Sequence, residues 1–534
     1  MLPGVPTHLQ RLGEWAATVR TIPDDVRYAA RAQLLDMVAA VHATARGSIA
    51  RPVLDGLHAL RTTGTCTSLA DGARLAAPDA AIANAACSMA HDYDDIVWMG
   101  HTAHSAVFAA LAVGELVGAQ TADVVDAIVV ANELAGRLGA SSILGPLNGQ
   151  MWTFIHLVGA AAASARLLHL DAERTTHALA IALAQPNFAL QPAFLRPTSK
   201  LLAAATPTAT GIRAAFFAQA GLVGAPEILE DPRGFWQRFA FVPLPEMLSD
   251  LGDFWVLRTL AIKTYPGCHY FQTALAATEQ ILARRGAAMT RDRVRRIQVD
   301  ATKLACEATR FAREYAGAGE VTPVSVNFDL AQSIAVMLCA RTFGVEQLEE
   351  KWLHAHAAEL RAWTAIIDVR HDPQMTARTI ACARRVRSAR RALARIPPAS
   401  LLTLVRRYRQ EYQSSLASPR DVIGVARGLM KGRRADHATG GRSDGPLALE
   451  FAGRVTVELA DGTRESERID VPPGALAAPS FAREIEAKAM RELVPRLGDA
   501  RARTAIDRVW NARDVGCQAL VADLAFRASG ADTA

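Results

Sequence analysis

Residues 91–105 read HDYDDIVWMGHTAHS and place three histidines (His91, His101, His104) and three aspartates (Asp92, Asp94, Asp95) within fifteen positions. Imidazole changes charge near neutral pH, and a carboxylate beside it holds the charged form, so the combination suits proton transfer. A helix-joining loop with capping aspartates would use the same residue types. What separates the two readings is whether these groups meet in space. His91 and His156 read as structural histidines.

The elements that must position these groups are mostly helical. Residues 80–90 are small and apolar, and 106–117 places Val107, Ala110, Leu111 and Gly114 at helical spacing before Gly118. Residues 8–45 read as two helices, the second carrying LLDMVAAVHA with Asp36 inside an apolar run. Helices continue over 80–220, with Thr206 as a cap and Pro207 in the first turn of one of them. Beyond about 263 the texture changes. Ile297 and Val299 alternate with polar neighbours, as do Val455, Val457 and Leu459 before the Asp461-Gly462 turn, with helices over 271–285 and 328–340 between. From Ser480, read as a cap, the chain is helical again. The expected fold is mainly α: a large all-helical domain from both chain ends (1–262 and 473–534) and an inserted α+β lid domain, 263–472.

Composition narrows the class. The 534 residues are 50% hydrophobic and 6% aromatic, with a net charge of +6. Residues 375–445 hold sixteen Lys/Arg against four Asp/Glu, so one segment makes the chain basic and the remainder is mildly acidic. RRVRSARRALARI and LLTLVRRYRQEYQSSL read as arginine-rich helices and KGRRADHATGGRSDG as a flexible loop. This basic insertion suits solvated helix faces or a partner surface. Apart from Tyr408 and Tyr412 it lacks aromatics for base stacking, which argues against nucleic acid. Seven scattered cysteines without a CxxC pair fit a reducing cytoplasm and no structural metal. HExxH, GxxxxGK[ST] and GxGxxG are absent. The charge-free run 138–165 contains Ser141, Ser142, Pro146, Asn148, Gly149, Gln150 and His156, which speaks against a membrane span.

In order along the chain, LLDMVAAVHATARGS, AIANAACSMAHDYDD, SKLLAAATPTATGIRAAFFAQAGLVG, IKTYPGCHYFQTALAATEQIL, TPVSVNFDLAQSIAVML, GRVTVELADGTR and SFAREIEAKAMREL resemble segments of the MmgE/PrpD family. Its members include 2-methylcitrate dehydratase and cis-aconitate decarboxylase. The resemblance implies a helical domain with an α+β lid, a homodimer, and no metal or organic cofactor. It puts Asp92 at the family's aspartate position, His101 at its next histidine with His104 as the competing assignment, and Lys200 and Lys263 at its two lysines. In this reading Asp92 holds His101 for proton transfer, while Lys200 and Lys263 hold substrate charge. His269, Gln272 and Gln150 are set as substrate-binding residues. Three positions depart from the family: Gln150 stands where several lyases carry a second histidine, Ile96 where decarboxylases are polar, and Tyr315 is the nearest candidate for a lid tyrosine. Glutamine orients a carboxylate but takes no proton at neutral pH, so the substrate is expected to differ. The expected function is a cofactor-independent lyase acting on a small organic acid, by proton transfer beside a carboxylate or carbonyl. An isomerase or epimerase on the same scaffold and a non-catalytic binder using the basic insertion remain the alternatives.

Overall fold

Small side chains let the helices of the first half approach closely. In the computed structural model Asp24–Thr44, Ala77–Met89, Ala103–Val117, Thr121–Ser141, Ile155–Leu167 and Leu202–Gln219 pack on one another around a shared apolar core. At Gly159 a Cβ would come within 2.6 Å of Ser105 Oγ on the facing helix, so any larger residue would force the pair apart. The structure describes residues 5–146, 153–195, 198–315, 321–412, 445–511 and 514–527. It is 62% helical, with 22 helices and only small sheets among these residues: a mainly α fold with a smaller α+β region.

The α+β region is built on a four-stranded sheet in the order Ile367–His371, Val294–Ala301, Gly453–Leu459, Arg464–Ile469. The first pair is parallel and the other two are antiparallel. Gly462, at φ 86°, makes the turn between the last two strands. Helices Gln272–Arg285 and Leu330–Ala340 share a separate core with the sheet. The helices Phe481–Leu497, Asp499–Asn511 and Cys517–Leu524 bury their apolar faces in the core of the first half.

Three local expectations are corrected. Pro207 lies inside Leu202–Gln219 instead of in its first turn. Ala204 and Ala205 are buried, and their packing extends the helix backwards past the proline. The helix expected over 328–340 divides into Pro323–Phe328 and Leu330–Ala340, because Asp329 adopts an extended conformation and caps the second. Ser480 stands at the start of Phe481–Leu497, but its hydroxyl donates to Pro473 O at 2.8 Å instead of capping.

The described part of the basic stretch forms Pro373–Ala383, Arg387–Arg395 and Pro398–Tyr412. Many of its arginines are taken up internally. Arg378 pairs with Glu450 and Asp470, Arg387 with Asp250 and Asp253, Arg391 with Asp250 and Arg395 with Glu246. Tyr408 donates to Gly145 O at 2.8 Å. The helices therefore fasten onto the helical body. The rest, 413–444, lies outside the described residues. Among the described residues one stretch, Thr198–Gln219, is long and apolar enough to cross a membrane, and 61% of its apolar window is buried inside the protein.

Candidate active site

Helix Ala77–Met89 ends beside Ala90, and Asp92 takes a left-handed conformation at φ 49°. Aspartate tolerates that region better than most residues, and here it turns the chain sharply. The next residues form a two-residue strand, Asp95–Ile96, antiparallel to Ala261–Ile262. This pairing places Lys263 beside Asp94, whose carbonyl accepts from Lys263 N at 3.1 Å. The chain then reverses through Trp98 (φ 56°), with Val97 and Gly100 exchanging backbone hydrogen bonds. The reversal returns His101 to Asp94 and Asp95.

Asp94 is the hub. Its Oδ1 accepts from Lys263 Nζ, and its Oδ2 accepts from His101 Nδ1 at 2.7 Å. His101 Nδ1 also lies 2.7 Å from Asp95 O. Both partners only accept, so the network assigns the proton to Nδ1 and a lone pair to Nε2 in the neutral ring. Nε2 has no protein partner among the described residues, and the His101 side chain keeps 16% of its surface exposed. His104 is different. Its Nδ1 lies 2.8 Å from Ser88 Oγ, and its Nε2 lies 3.2 Å from Asp94 Oδ2 at an angle too oblique for a hydrogen bond. Fully buried, it packs edge-to-face against His156 with ring centroids 5.8 Å apart.

Asp92 faces another way. Its Oδ2 accepts from Lys200 Nζ and, at 2.9 Å, from Asn327 Nδ2. Lys200 comes from the short helix Thr198–Leu201, and the rings of Phe194 and Phe328 flank its ammonium at 5.8 and 5.0 Å. Lys263 Nζ also donates to Asp92 O at 2.9 Å, so the two aspartate–lysine pairs adjoin. Cys268 N donates to Asn327 O at 2.9 Å. Gly267, at φ 104° and bonded to His91 O and Asp92 O, makes the close approach that brings Cys268 and His269 to the site.

The electrostatics are those of a deeply buried site. Burial would raise the Asp94 carboxyl, but Lys263 and His101 outweigh it and hold the group well below the usual range. Burial would lower Lys263, but Asp94 and Asp92 raise it instead. Burial, then Lys263 and His101, push His269 well below the ordinary imidazole range. His156 is pushed the same way by burial, His104 and His101. Burial and Lys200 lower His91 to about 4. These three histidines are neutral at pH 7.

Residues 10–244 match the family model of the MmgE/PrpD N-terminal domain. Over these residues the chain is an MmgE/PrpD N-terminal domain. This family of enzymes includes dehydratases and decarboxylases, so its chemistry is in general of the lyase type. The MmgE/PrpD match contains Asp92, Asp94, His101, His104 and Lys200, while Lys263, His269 and Asn327 reach the same place from beyond it. No curated protein matches the chain significantly.

The structure thus brings Asp92, His101, His104, Lys200, Lys263 and His269 together, with one change of partner. Asp94 holds His101, because the left-handed turn at Asp92 sends that carboxylate to Lys200 and Asn327. Gln272 is occupied elsewhere. Its Oε1 accepts from Thr264 N and Tyr265 N, and its Nε2 donates to Tyr265 O at 2.9 Å, so it braces the lysine segment. Gln150 lies outside the described residues. Ile96 is buried against Ala261 and Ala475, and Tyr315 ends the helix Lys303–Tyr315 half-buried. Sequence reasoning missed Asn327, although the TPVSVNFDL segment that carries it was among those resembling the family. Two cavities among the described residues, of about 410 and 250 Å³, are lined by other residues, including Arg313 and Arg496 respectively. No cluster of three or more metal-ligating side chains occurs among the described residues.

Proposed function

We propose that the protein is a cofactor-independent lyase that acts on a small organic acid, with His101 Nε2 moving the proton beside a carboxylate or carbonyl. One observation carries the reading: among the site histidines, His101 combines a carboxylate-anchored Nδ1 with an open Nε2 and a partly exposed ring. The Nε2 lone pair takes a proton from carbon, and the Asp94 carboxylate stabilises the imidazolium that forms. Lys263, on the other oxygen of Asp94, keeps that carboxylate ionised, so the proton stays on the ring. Lys200, Lys263 and Asn327 turn positive ends toward the same region, where an enolate or carboxylate oxygen would sit. Both ammonium groups are already paired, so an anionic substrate competes with Asp92 for Lys200 and Asn327.

A single open imidazole fits reactions in which one group serves both proton events. In syn elimination it takes the carbon-bound proton and returns it to the departing hydroxyl as water. In decarboxylation it takes up a proton from solvent as imidazolium and delivers it to the carbon left when carbon dioxide departs. An isomerase or epimerase starts with the same abstraction and returns the proton to carbon. The working form we propose is a homodimer, supported by Phe217, Leu222 and Val223, apolar and more than half exposed; sedimentation tests it.

The test is incubation with a panel of di- and tricarboxylates and hydroxy acids in deuterated water, read by NMR and mass. The expected result is loss of water or carbon dioxide with wild type, and no solvent deuterium in substrate or product with His101→Asn. Stereochemical change alone assigns the isomerase. Unchanged turnover by His101→Asn refutes the proposed mechanism.

A further inference from the structure

The functional reading leaves one buried cation of the site unused. Lys488, from the carboxy-terminal helix Phe481–Leu497, is 1% exposed and reaches the core beneath the aspartate turn. Its ammonium meets Asp36 Oδ1 at 2.7 Å, Tyr93 O at 2.6 Å and Lys263 O at 3.1 Å, and sits 3.8 Å from the centroid of the Tyr93 ring. An ammonium has three N–H donors; two of them go to these carbonyls, while Asp36 Oδ1 stands in ion-pair contact without a hydrogen bond. Only Asp36 is a charge partner. The two acceptors are main-chain carbonyls of the segments that carry the site: one between Asp92 and Asp94, the other on Lys263 itself.

The surrounding bonds make the pattern specific. Asp92 O accepts from Lys263 Nζ, Tyr93 O from Lys488 Nζ and Asp94 O from Lys263 N. Three successive carbonyls of a turn that starts in a left-handed conformation are thus each held by a lysine donor. Arg491, one helical turn after Lys488, also donates to the Tyr93 hydroxyl. A segment far along the chain thereby braces the site's backbone.

From this arrangement we infer that Lys488 is a positioning residue: it pins the carbonyls of Tyr93 and Lys263 so that Asp94 meets Lys263 and His101 together. It acts through Lys263 and Asp94 and touches neither His101 nor the place where substrate would bind. The inference rests on the reading of Asp94 and His101 as the proton-transfer pair. The plainer alternative is a buried ion pair that merely holds the helix Phe481–Leu497 against Asp24–Thr44.

Two variants separate these. Asp36→Asn removes the charge partner, yet Lys488, already lowered by burial, retains N–H donors for both carbonyls even as a neutral amine. Asp36→Asn/Lys488→Met replaces the pair with neutral groups, an exchange that buried ion pairs often tolerate, and strips the carbonyls of their donor. Cooperative urea unfolding establishes that each is folded. The readout is the His101 imidazole titration and tautomer in ¹⁵N-histidine-labelled protein, assigned by the signal lost in His101→Gln. Asp36→Asn is expected to keep the wild-type His101 signature whatever it does to stability. The double variant is expected to displace the titration by about one pH unit. Where a substrate is in hand, it should also lower kcat about tenfold with little change in KM. A folded double variant with an unchanged His101 signature overturns the inference, as does an Asp36→Asn variant that shifts it equally. Asp36→Asn alone keeps the inference open to refutation should no Lys488 variant fold. Turnover that survives His101→Asn would defeat the functional reading while leaving the imidazole result standing.

Discussion

Asp94, with no side-chain surface exposed, accepts the Nδ1 proton of His101 at 2.7 Å. Lys263 and His101 hold its carboxyl well below the usual range against the upward push of burial. A depressed acid contributes stability above its unfolded pKa, near 3.9, and loses it only as pH falls through the lower folded value. Asp94 therefore stays charged throughout the working range. Asp94→Asn is expected to cut turnover by about 10²–10³-fold, because the imidazolium loses its counter-charge, with KM affected less. It should also cost about 3–5 kcal/mol in urea unfolding, since Lys263 is left buried without its carboxylate. Wild-type kcat in Asp94→Asn would remove the hub from the mechanism.

Asp92 and Lys200 form the second pair, with Asn327 as the remaining donor. Lys200→Met strands a buried carboxylate and should destabilise by about 3–5 kcal/mol. Asp92→Asn/Lys200→Met removes both charges and should recover most of that loss. A double-mutant cycle is expected to give a coupling of about 1–3 kcal/mol by chemical denaturation. Additive losses would mean that the two side chains act independently.

The helical framework was legible because small apolar runs with capped ends have few alternatives. The strands Val294–Ala301 and Gly453–Leu459 were legible because alternation and an Asp-Gly turn mark them. Ile367–His371, only partly buried and without clean alternation of buried and exposed positions, was not. The clustering of His101, Lys200 and Lys263 was legible through the family resemblance of the segments that carry them. The partner exchange at Asp92 was hidden, since it depends on a left-handed backbone that nothing in the string DYDD signals. Asn327 was hidden for a related reason: an amide acts here only because Gly267 lets two chains touch. Asp36 was visible as a charge in an apolar run, and its partner Lys488 lies 452 positions away. The docking of the basic helices was hidden, because the acidic groups that pair with their arginines are distant in the sequence.

Those helices give a graded prediction. Arg387, Arg391 and Arg395 recur every four residues and face Asp250, Asp253 and Glu246 across the body. Exposed ion pairs contribute about 0–1 kcal/mol each, but Asp250 is nearly buried and takes two of the three arginines. Asp250→Asn should therefore cost about 1–3 kcal/mol, and Glu246→Gln about 0.5 kcal/mol or less, in thermal or urea unfolding. Added salt should erase the smaller effect and leave the larger. Equal losses at the two positions would contradict the docking of Arg387–Arg395 as seen here.

The last prediction concerns the acid beneath the site. Burial raises the Asp36 carboxyl to about 6, despite the opposing pull of Lys488. Between its unfolded value near 3.9 and about 6 the folded chain binds the extra proton, so this group's contribution to stability falls as pH rises across that window. Four buried histidines act in the opposite sense. His42 and His91 are lowered to about 4, and His156 and His269 well below the ordinary range, all chiefly by burial, so acid favours their unfolded forms. Overall stability should thus decline on acidification, opposed by Asp36 and by the buried Asp95 and Glu133, whose carboxyls are also raised; the Asp36 share is the one its variant removes. Unfolding free energies of wild type and Asp36→Asn measured from pH 6.5 to 4.5 isolate that term. Wild type should gain on the variant as pH falls, because only wild type takes up the Asp36 proton. A lowered Lys488 in the variant would widen the difference in the same direction. Two parallel curves would show that Asp36 titrates normally and that the site's underside carries no displaced proton.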